Sequence, residues 1–504
     1  MSSLTNIRTL GELKQTSYKP KSIKEELRDN LIRDMKKGTE TFKGIHGYED
    51  TVIPDIKRAI LSRHNIILLG LRGQAKTRIA RMMVNLLDEY IPVVKGSEIN
   101  DDPFRPVSSQ AREIVLKHGD DTEIEWVHRE SRYAEKLATP DVSVADLVGD
   151  VDPIKAAALK LPYSDERVIH FGLIPRSHRS IFVINELPDL QARIQVALFN
   201  ILQEEDIQIR GFKMKLPLDI QFVFTANPED YTNRGSIVTP LKDRIDSQIL
   251  THYPKSIEVS RIITDQEVNL TREQKSKVKC NDLVAVLLEQ IAFEARGSEY
   301  IDEKSGVSAR LTISAYENLI STAEMRMLLT NSKNEQVRIA DLYGTVPSIT
   351  GKVELVYEGE QEGPYKVAQI LIGKAIKTIF TTIFPSPENK KKKSAASADA
   401  ATYKTVMNWF AEGNKIDILN NLTDFEYRKA LDSVPGLKDL VKTYVKGVQP
   451  GEEYIYMEFV LHGMSEFSLL SKSKLERGLQ FADMLGSMLN IGSDDDYDLD
   501  DYTR

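Results

Sequence analysis

Gly70-Leu71-Arg72-Gly73-Gln74-Ala75-Lys76-Thr77 follows the apolar run Asn65–Leu69 and leads into Ile79, Met82, Met83, Leu86 and Leu87, which recur at helical spacing. Strand, glycine turn and helix thus stand in the order that a phosphate loop needs. Such a loop holds a polyphosphate with backbone N–H groups and the positive end of the helix. The lysine ammonium reaches the outer phosphates and the threonine hydroxyl reaches Mg²⁺. Lys76 and Thr77 take those roles, with Gly70, Gly73, Gln74 and Ala75 as the cradle. Ala75 stands where the pattern G-x-x-x-x-G-K-[ST] has its second glycine, and alanine is tolerable there only with a negative φ. Glycines and a lysine also occur in ordinary strand-to-helix turns, so the residues downstream decide.

Ser180-Ile181-Phe182-Val183-Ile184-Asn185-Glu186 is a second apolar strand, ending in a polar pair. P-loop ATPases end this strand in Asp-Glu, the Asp holding the metal shell and the Glu polarising the attacking water. Glu186 is the expected general base. Asn185 can accept a hydrogen bond but brings no charge, which predicts weaker Mg²⁺ holding or slower turnover. A third apolar run, Asp219–Thr225, ends at Ala226-Asn227-Pro228, where the Asn227 amide suits the orienting of that water. Pro240-Leu241-Lys242-Asp243-Arg244-Ile245-Asp246 then offers Arg244 at a helix end. A guanidinium so placed can stabilise transition-state charge in a neighbouring subunit, which requires an oligomer. Arg310, in Gly306–Leu311 at the start of another helix, is a candidate second sensor folding over the nucleotide. An isolated arginine is usually solvated; only the ordered set gives Arg310 weight.

Bringing these residues together takes several strands side by side. Strand-like runs at Ile66–Leu69, Ile181–Ile184 and Ile220–Thr225 alternate with helical patterns at Ile79–Leu87 and Ile194–Leu202. That alternation predicts an α/β fold, a parallel sheet wrapped by helices. Residues 1–40 read as a charged helical arm and 41–255 as the α/β core. Residues 256–388 read as a helical lid with a short strand at Val353–Tyr357, and 403–490 as a helical C-terminal domain. Residues 389–402, with Lys390–Lys393 before a run of Ser and Ala, lack periodicity and suit a linker. The acidic run in 491–504 repels itself and is expected to be disordered.

Composition bounds the rest. A chain of 504 residues is too long for one ordinary core, and 41% hydrophobic with 28% charged residues is typical of a soluble globular protein. The net charge of −8 argues against a nucleic-acid-coating role. Cys280 is the only cysteine, so no intrachain disulfide can form and a reducing compartment is favoured. The N-terminus lacks the apolar core of a signal peptide, and Glu12 and Glu25 do not suit a transit peptide, so a cytoplasmic location is expected. Val367–Phe384 carries Lys374 and Lys377 and breaks at Gly373, which fits a packed helix better than a membrane span.

Taken together, these residues resemble the AAA+ superfamily, and within it the MoxR-type ATPases and the magnesium chelatase ATPase subunit, over roughly residues 41–345. Further marks of the resemblance are Gly44-Ile45-His46-Gly47-Tyr48, Ala138-Thr139-Pro140-Asp141, Asp146-Leu147-Val148-Gly149 and Gly172-Leu173-Ile174-Pro175-Arg176. The resemblance implies a P-loop AAA+ core with a helical lid, ATP and Mg²⁺ as cofactors, and hydrolysis in a hexameric ring. It implies a protein client carrying a von Willebrand factor A domain, and it places Tyr48 at the nucleotide. Residues about 97–135 then form an inserted excursion, whose Trp126, His128, Arg129 and Arg132 are read as ordinary surface. Ile207–Leu216 looks like the clade's hairpin insertion, and Arg176 and Arg179 would face a neighbour's nucleotide. Two alternatives stay open: a nucleotide-binding scaffold with weakened hydrolysis, and a chelatase-type motor subunit. An enhancer-binding activator is disfavoured by the missing GAFTGA loop. Glu186, Asn227, Arg244 and Arg310 together favour an active enzyme, slowed by Ala75 and Asn185.

Overall fold

The computed structural model describes residues 4–162, 165–204, 206–207, 209, 216–228, 236–387, 402–475 and 478–484. The chain divides into two compact units, Met1–Tyr253 and Pro254–Arg504. In the first, β1 (Ile66–Leu69), β2 (Tyr133–Leu137), β3 (Ser180–Asn185), β4 (Ile220–Ala226) and β5 (Ser247–Leu250) form one sheet. Its order is β5-β1-β4-β3-β2, with every pairing parallel. The three central strands are almost continuously apolar and buried, whereas β2 and β5 at the edges mix polar and apolar residues. A parallel sheet covered on both faces demands that contrast. Alternate residues of each strand serve opposite faces: Ile67, Phe182 and Phe224 enter one apolar cluster, and Ile66, Ile181 and Val223 the other. The fold is therefore of the α/β class expected, a parallel sheet wrapped by helices. The helix after the phosphate loop is shorter than its periodicity suggested: α-helix over Lys76–Met82, then a 3₁₀ turn over Met83–Leu86.

Capping boxes, Thr9 with Glu12 and Ser22 with Glu25, start the two arm helices Leu10–Lys14 and Ile23–Lys37. Ile23, Leu27 and Leu31 share an apolar cluster with Ile56, Ile60 and Met83. The arm is thus part of the unit's core. Its polar side chains meet the N-terminal edge of the sheet, opposite the strand ends that carry the phosphate loop. Glu26 receives both Arg132 Nη atoms at 2.7 Å, and Arg132 Nε donates to the Arg179 carbonyl at 2.9 Å. Arg179 Nη2 donates to the Tyr18 hydroxyl at 3.0 Å and lies 3.1 Å from Asp102 Oδ2. Arg132 is 1% exposed and Arg179 5%. Two expectations are corrected: Arg132 is no surface residue, and Arg179 has no access to a neighbouring subunit. Trp126 is half-buried, its indole donating to the Ile7 carbonyl at 3.0 Å, on the strand Ile124–His128 that pairs antiparallel with Tyr90–Val94. The hairpin Ile207–Leu216 lies mostly outside the described residues, although its ends pair as Ile207 with Leu216. The linker and acidic tail also lie outside them, apart from residue 402.

The second unit packs the helices Asp282–Arg296, Arg310–Leu329, Pro364–Ile383 and Glu453–Glu466 around one core. That core joins Leu287, Leu319 and Ile372 to Phe410, Leu431 and Phe481, so the expected lid and C-terminal regions share one interior. A buried carboxylate adds to the join: Glu458 accepts from the Ile339 and Ala340 N–H groups at 3.0 and 2.8 Å and from the Tyr427 hydroxyl at 2.8 Å. Two features differ from the sequence expectation. The C-terminal region contains a three-stranded antiparallel sheet of Ile416–Leu419, Ser471–Leu475 and Gly478–Ala482. Val353–Tyr357 forms only an isolated bridge from Leu355 to Ile301 before the helix Tyr357–Glu362, because one bridge leaves no second partner to extend a strand. Pro364–Ile383 runs unbroken through Gly373, whose missing side chain makes room for the Glu466 carboxylate. Among the described residues no helix is long and apolar enough to cross a membrane.

At the N-terminal edge of the sheet, His178 Nδ1 accepts from the Asp219 N–H at 3.0 Å, so that nitrogen must stay unprotonated. Burial, aided by the Arg179 charge, lowers the His178 pKa to about 4 from 6.5. Its contribution to stability is whole above the unfolded pKa and is lost as pH falls towards 4. Asp219, raised by burial to about 6 from 3.8, has the opposite sign: its contribution is lost as pH rises through 6. The two partly cancel in the native protein. Replacing His178 with a non-titrating acceptor isolates the histidine's share. In His178→Asn, stability relative to the parent is expected to rise by about 2 kcal/mol between pH 7 and pH 5. Urea denaturation at both pH values reads it, and an unchanged difference would show that His178 does not govern the acid limb.

Candidate functional site

Because every pairing in the main sheet is parallel, all the C-terminal strand ends lie along one edge, where ligands of open α/β sheets sit. Leu69 is level with Ala226, and Phe224 with Ile184. Gly70, the Asn185-Glu186 pair and Asn227 therefore emerge together. The loop after β1 is tightly built. A Cβ on Gly70 would stand 1.9 Å from Thr251 Oγ1 and 2.1 Å from Gln74 Oε1, so any larger residue would have to displace the hydrogen-bonded Thr251 and Gln74 side chains. Gly73 and Ala75 both adopt left-handed backbone, with φ of 76° and 56°. Left-handed residues in such a turn help aim N–H groups into one concavity, an anion-binding nest. Ala75 corrects the expectation of a negative φ: alanine holds the glycine conformation, at a cost of about 1 kcal/mol.

Beneath the loop, Tyr48 is buried, and its hydroxyl is shared between the Gln74 carbonyl at 3.1 Å and the His252 carbonyl at 2.7 Å. Burial pushes its phenol up to about 12, so it stays a neutral donor. Thr251 Oγ1 donates to Gln74 Oε1 at 2.6 Å, and the Tyr253 hydroxyl to the Arg72 carbonyl at 2.9 Å. The chain leaving β5 thereby holds the loop from below. Thr251 and His252 were missed by sequence reasoning, since a polar residue after a strand carries no motif. Lys76 is 8% exposed, and its ammonium donates to the carbonyls of Gly70 and Leu71.

One side chain links the loop to the other two strand ends. Asn185 Oδ1 accepts from the Thr77 hydroxyl at 3.3 Å and the Thr225 hydroxyl at 3.2 Å, and the Glu186 N–H donates to Thr225 Oγ1 at 3.2 Å. Glu186 itself has φ 55° and ψ 52°, a left-handed conformation that turns the chain sharply out of the strand. Non-glycine residues hold such geometry mainly where the surroundings enforce it, and functional sites are enriched in it. Thr225 had a signal in the sequence, a hydroxyl two positions before Asn227. Asn227 follows β4 directly and is half-buried.

Arg244 caps the helix Thr239–Asp243. Its guanidinium donates to Gln203 Oε1 at 2.9 and 2.7 Å and to the Pro240 carbonyl at 2.7 Å, and it stacks over Phe199 at 5.3 Å. These contacts hold it half-exposed in one orientation. Arg176 is exposed, with Nη2 3.2 Å from His170 Nε2. Arg310 belongs to the second unit, where it is the exposed first residue of the helix Arg310–Leu329.

No family model matches the chain. Among solved structures, it is similar to an NtrX protein from Brucella abortus: 13% identity, 75% of this chain and 70% of that one, TM-score 0.37. The magnesium chelatase complex of BchI and BchD gives 18% identity over 64% of this chain and 98% of the other, TM-score 0.32. RuvB of Thermotoga maritima gives 11% identity over 95% and 100%, TM-score 0.30. Likeness at that level adds nothing to what the strand order and the loop already establish.

The left-handed Ala75 gives a direct test of the loop geometry. Ala75→Gly removes the clash of Cβ with its own backbone, and is expected to stabilise the first unit by up to about 1 kcal/mol in chemical denaturation. A loss of stability of that size instead would mean that residue 75 has negative φ.

Proposed function

We propose that this chain is a MoxR-type AAA+ ATPase that hydrolyses ATP in an oligomeric ring, a hexamer, to remodel or mature a protein partner in the cytoplasm. The hydrogen-bonded chain Thr77–Asn185–Thr225–Glu186 carries the reading, because it ties the helix that follows the loop to the backbone N–H of Glu186 at the end of β3, across the intervening end of β4. In this reading the nest of Gly73 and Ala75, with Gly70 and Gln74, receives the phosphates, and the Lys76 ammonium exchanges carbonyl contacts for phosphate oxygens. Tyr48 positions the loop rather than touching the nucleotide through its hydroxyl. Glu186 accepts the proton of the attacking water and Asn227 orients that water. Arg244 reaches a neighbour's nucleotide, and Arg310 is the second sensor. Mg²⁺, when bound, neutralises phosphate charge; the Thr77 hydroxyl suits it, whereas Asn185 offers it no charge. The von Willebrand factor A client rests on the family resemblance alone. A nucleotide-binding scaffold is the second reading, favoured by the neutral Asn185.

Glu186→Gln is expected to keep ATP affinity within about threefold while lowering turnover at least a hundredfold, since the amide cannot take the proton. Turnover at the parent rate would place the base elsewhere, and a parent without turnover would leave the scaffold.

Arg244→Ala should bind ATP yet lose most hydrolysis, because its partner site lies in the next subunit. Mixing it with Glu186→Gln is expected to recover part of the activity, as mixed rings contain interfaces with both groups intact. No recovery in rings shown to be mixed would return Arg244 to a structural role beside Gln203 and Phe199.

A further inference from the structure

An amide has two unlike ends, and the contacts of Asn185 assign them. Thr225 Oγ1 accepts from the Glu186 N–H at 3.2 Å, and its single hydrogen goes to Asn185 Oδ1 at 3.2 Å. The Thr77 hydroxyl donates to the same oxygen at 3.3 Å. In this network both hydroxyls act as donors, and the atom they share is the carbonyl oxygen of the amide. Nδ2 is then the atom that Asn185 offers on its other side, and it is a donor only.

A carboxylate at this position would present a second acceptor there, suited to a water held by a divalent cation. It would also repel the phosphates whenever that cation was missing, since like charges would then face each other. Asn185 does neither. A donor beside an anion finds its natural partner in a phosphate oxygen, and such charge-assisted hydrogen bonds are the stronger kind. Resting on the nucleotide-site reading above, we infer that Asn185 donates directly to a phosphate oxygen. The chain therefore binds a nucleoside triphosphate with affinity largely independent of the divalent cation.

ATP affinity of the full chain, measured by calorimetry in excess Mg²⁺ and again in excess EDTA, tests this for the parent, Asn185→Asp and Asn185→Ala. The parent is expected to differ by less than about threefold between the two conditions. Asn185→Asp, which still accepts from both threonines, should lose about tenfold or more in EDTA by repulsion. Asn185→Ala should lose about tenfold in EDTA because the donor is gone. Circular dichroism melts establish that each variant is folded, and either variant alone decides the question. An Asp variant with the parent's ratio, or an Ala variant with the parent's metal-free affinity, overturns the inference. Absence of ATP binding by the parent in both conditions overturns the nucleotide site itself.

Discussion

Parallel pairing throughout the main sheet is the constraint on which the candidate site depends. Antiparallel strands would send alternate C-termini to opposite edges, and Lys76, Glu186 and Asn227 could not face a common ligand. Parallel strands cannot be joined by tight hairpins, so each connection must cross a face, and the helices that do so bury both faces. The near-continuous apolar sequences of β1, β3 and β4 follow from that burial. One requirement thus links the composition of the strands to the position of the chemistry.

The two edges of the sheet are finished differently. At the C-terminal edge, Asn185, Thr77 and Thr225 form a small neutral network, and Glu186 and Ala75 hold left-handed backbone. At the N-terminal edge, Glu26 with Arg132 and Asp102 with Arg179 form buried ion pairs whose polar atoms are matched by carbonyls and hydroxyls. Buried pairs of that kind contribute little net energy, but removing one partner leaves a charge uncompensated and costs several kcal/mol, about 3–5. They fix where the arm docks.

Motif order made the loop, the Asn-Glu strand end and Asn227 legible, because a phosphate loop imposes residue types at fixed spacing. The backbone angle of Ala75 was not legible, since a residue type sets a preference and the surrounding loop sets the outcome. Arg132 and Arg179 were misread for a different reason. Arginines in a polar stretch normally face water, and nothing near them in sequence announced that Glu26, Tyr18 and Asp102 would come from the arm and the excursion to receive them. Helical periodicity likewise shows that a helix has an apolar face without naming its partner. The common interior of the second unit therefore could not be read from its separate segments.

The arm's docking also sets an order of events during synthesis. Ile23 donates to Asp219, 196 positions further along, and Glu26 waits 106 positions for Arg132. At ribosomal rates of about 5–20 residues per second, the arm is made roughly ten to forty seconds before the whole of its acceptor edge exists. The arm is thus made well before the strands that receive it, and it is among the last parts of this unit to reach its place.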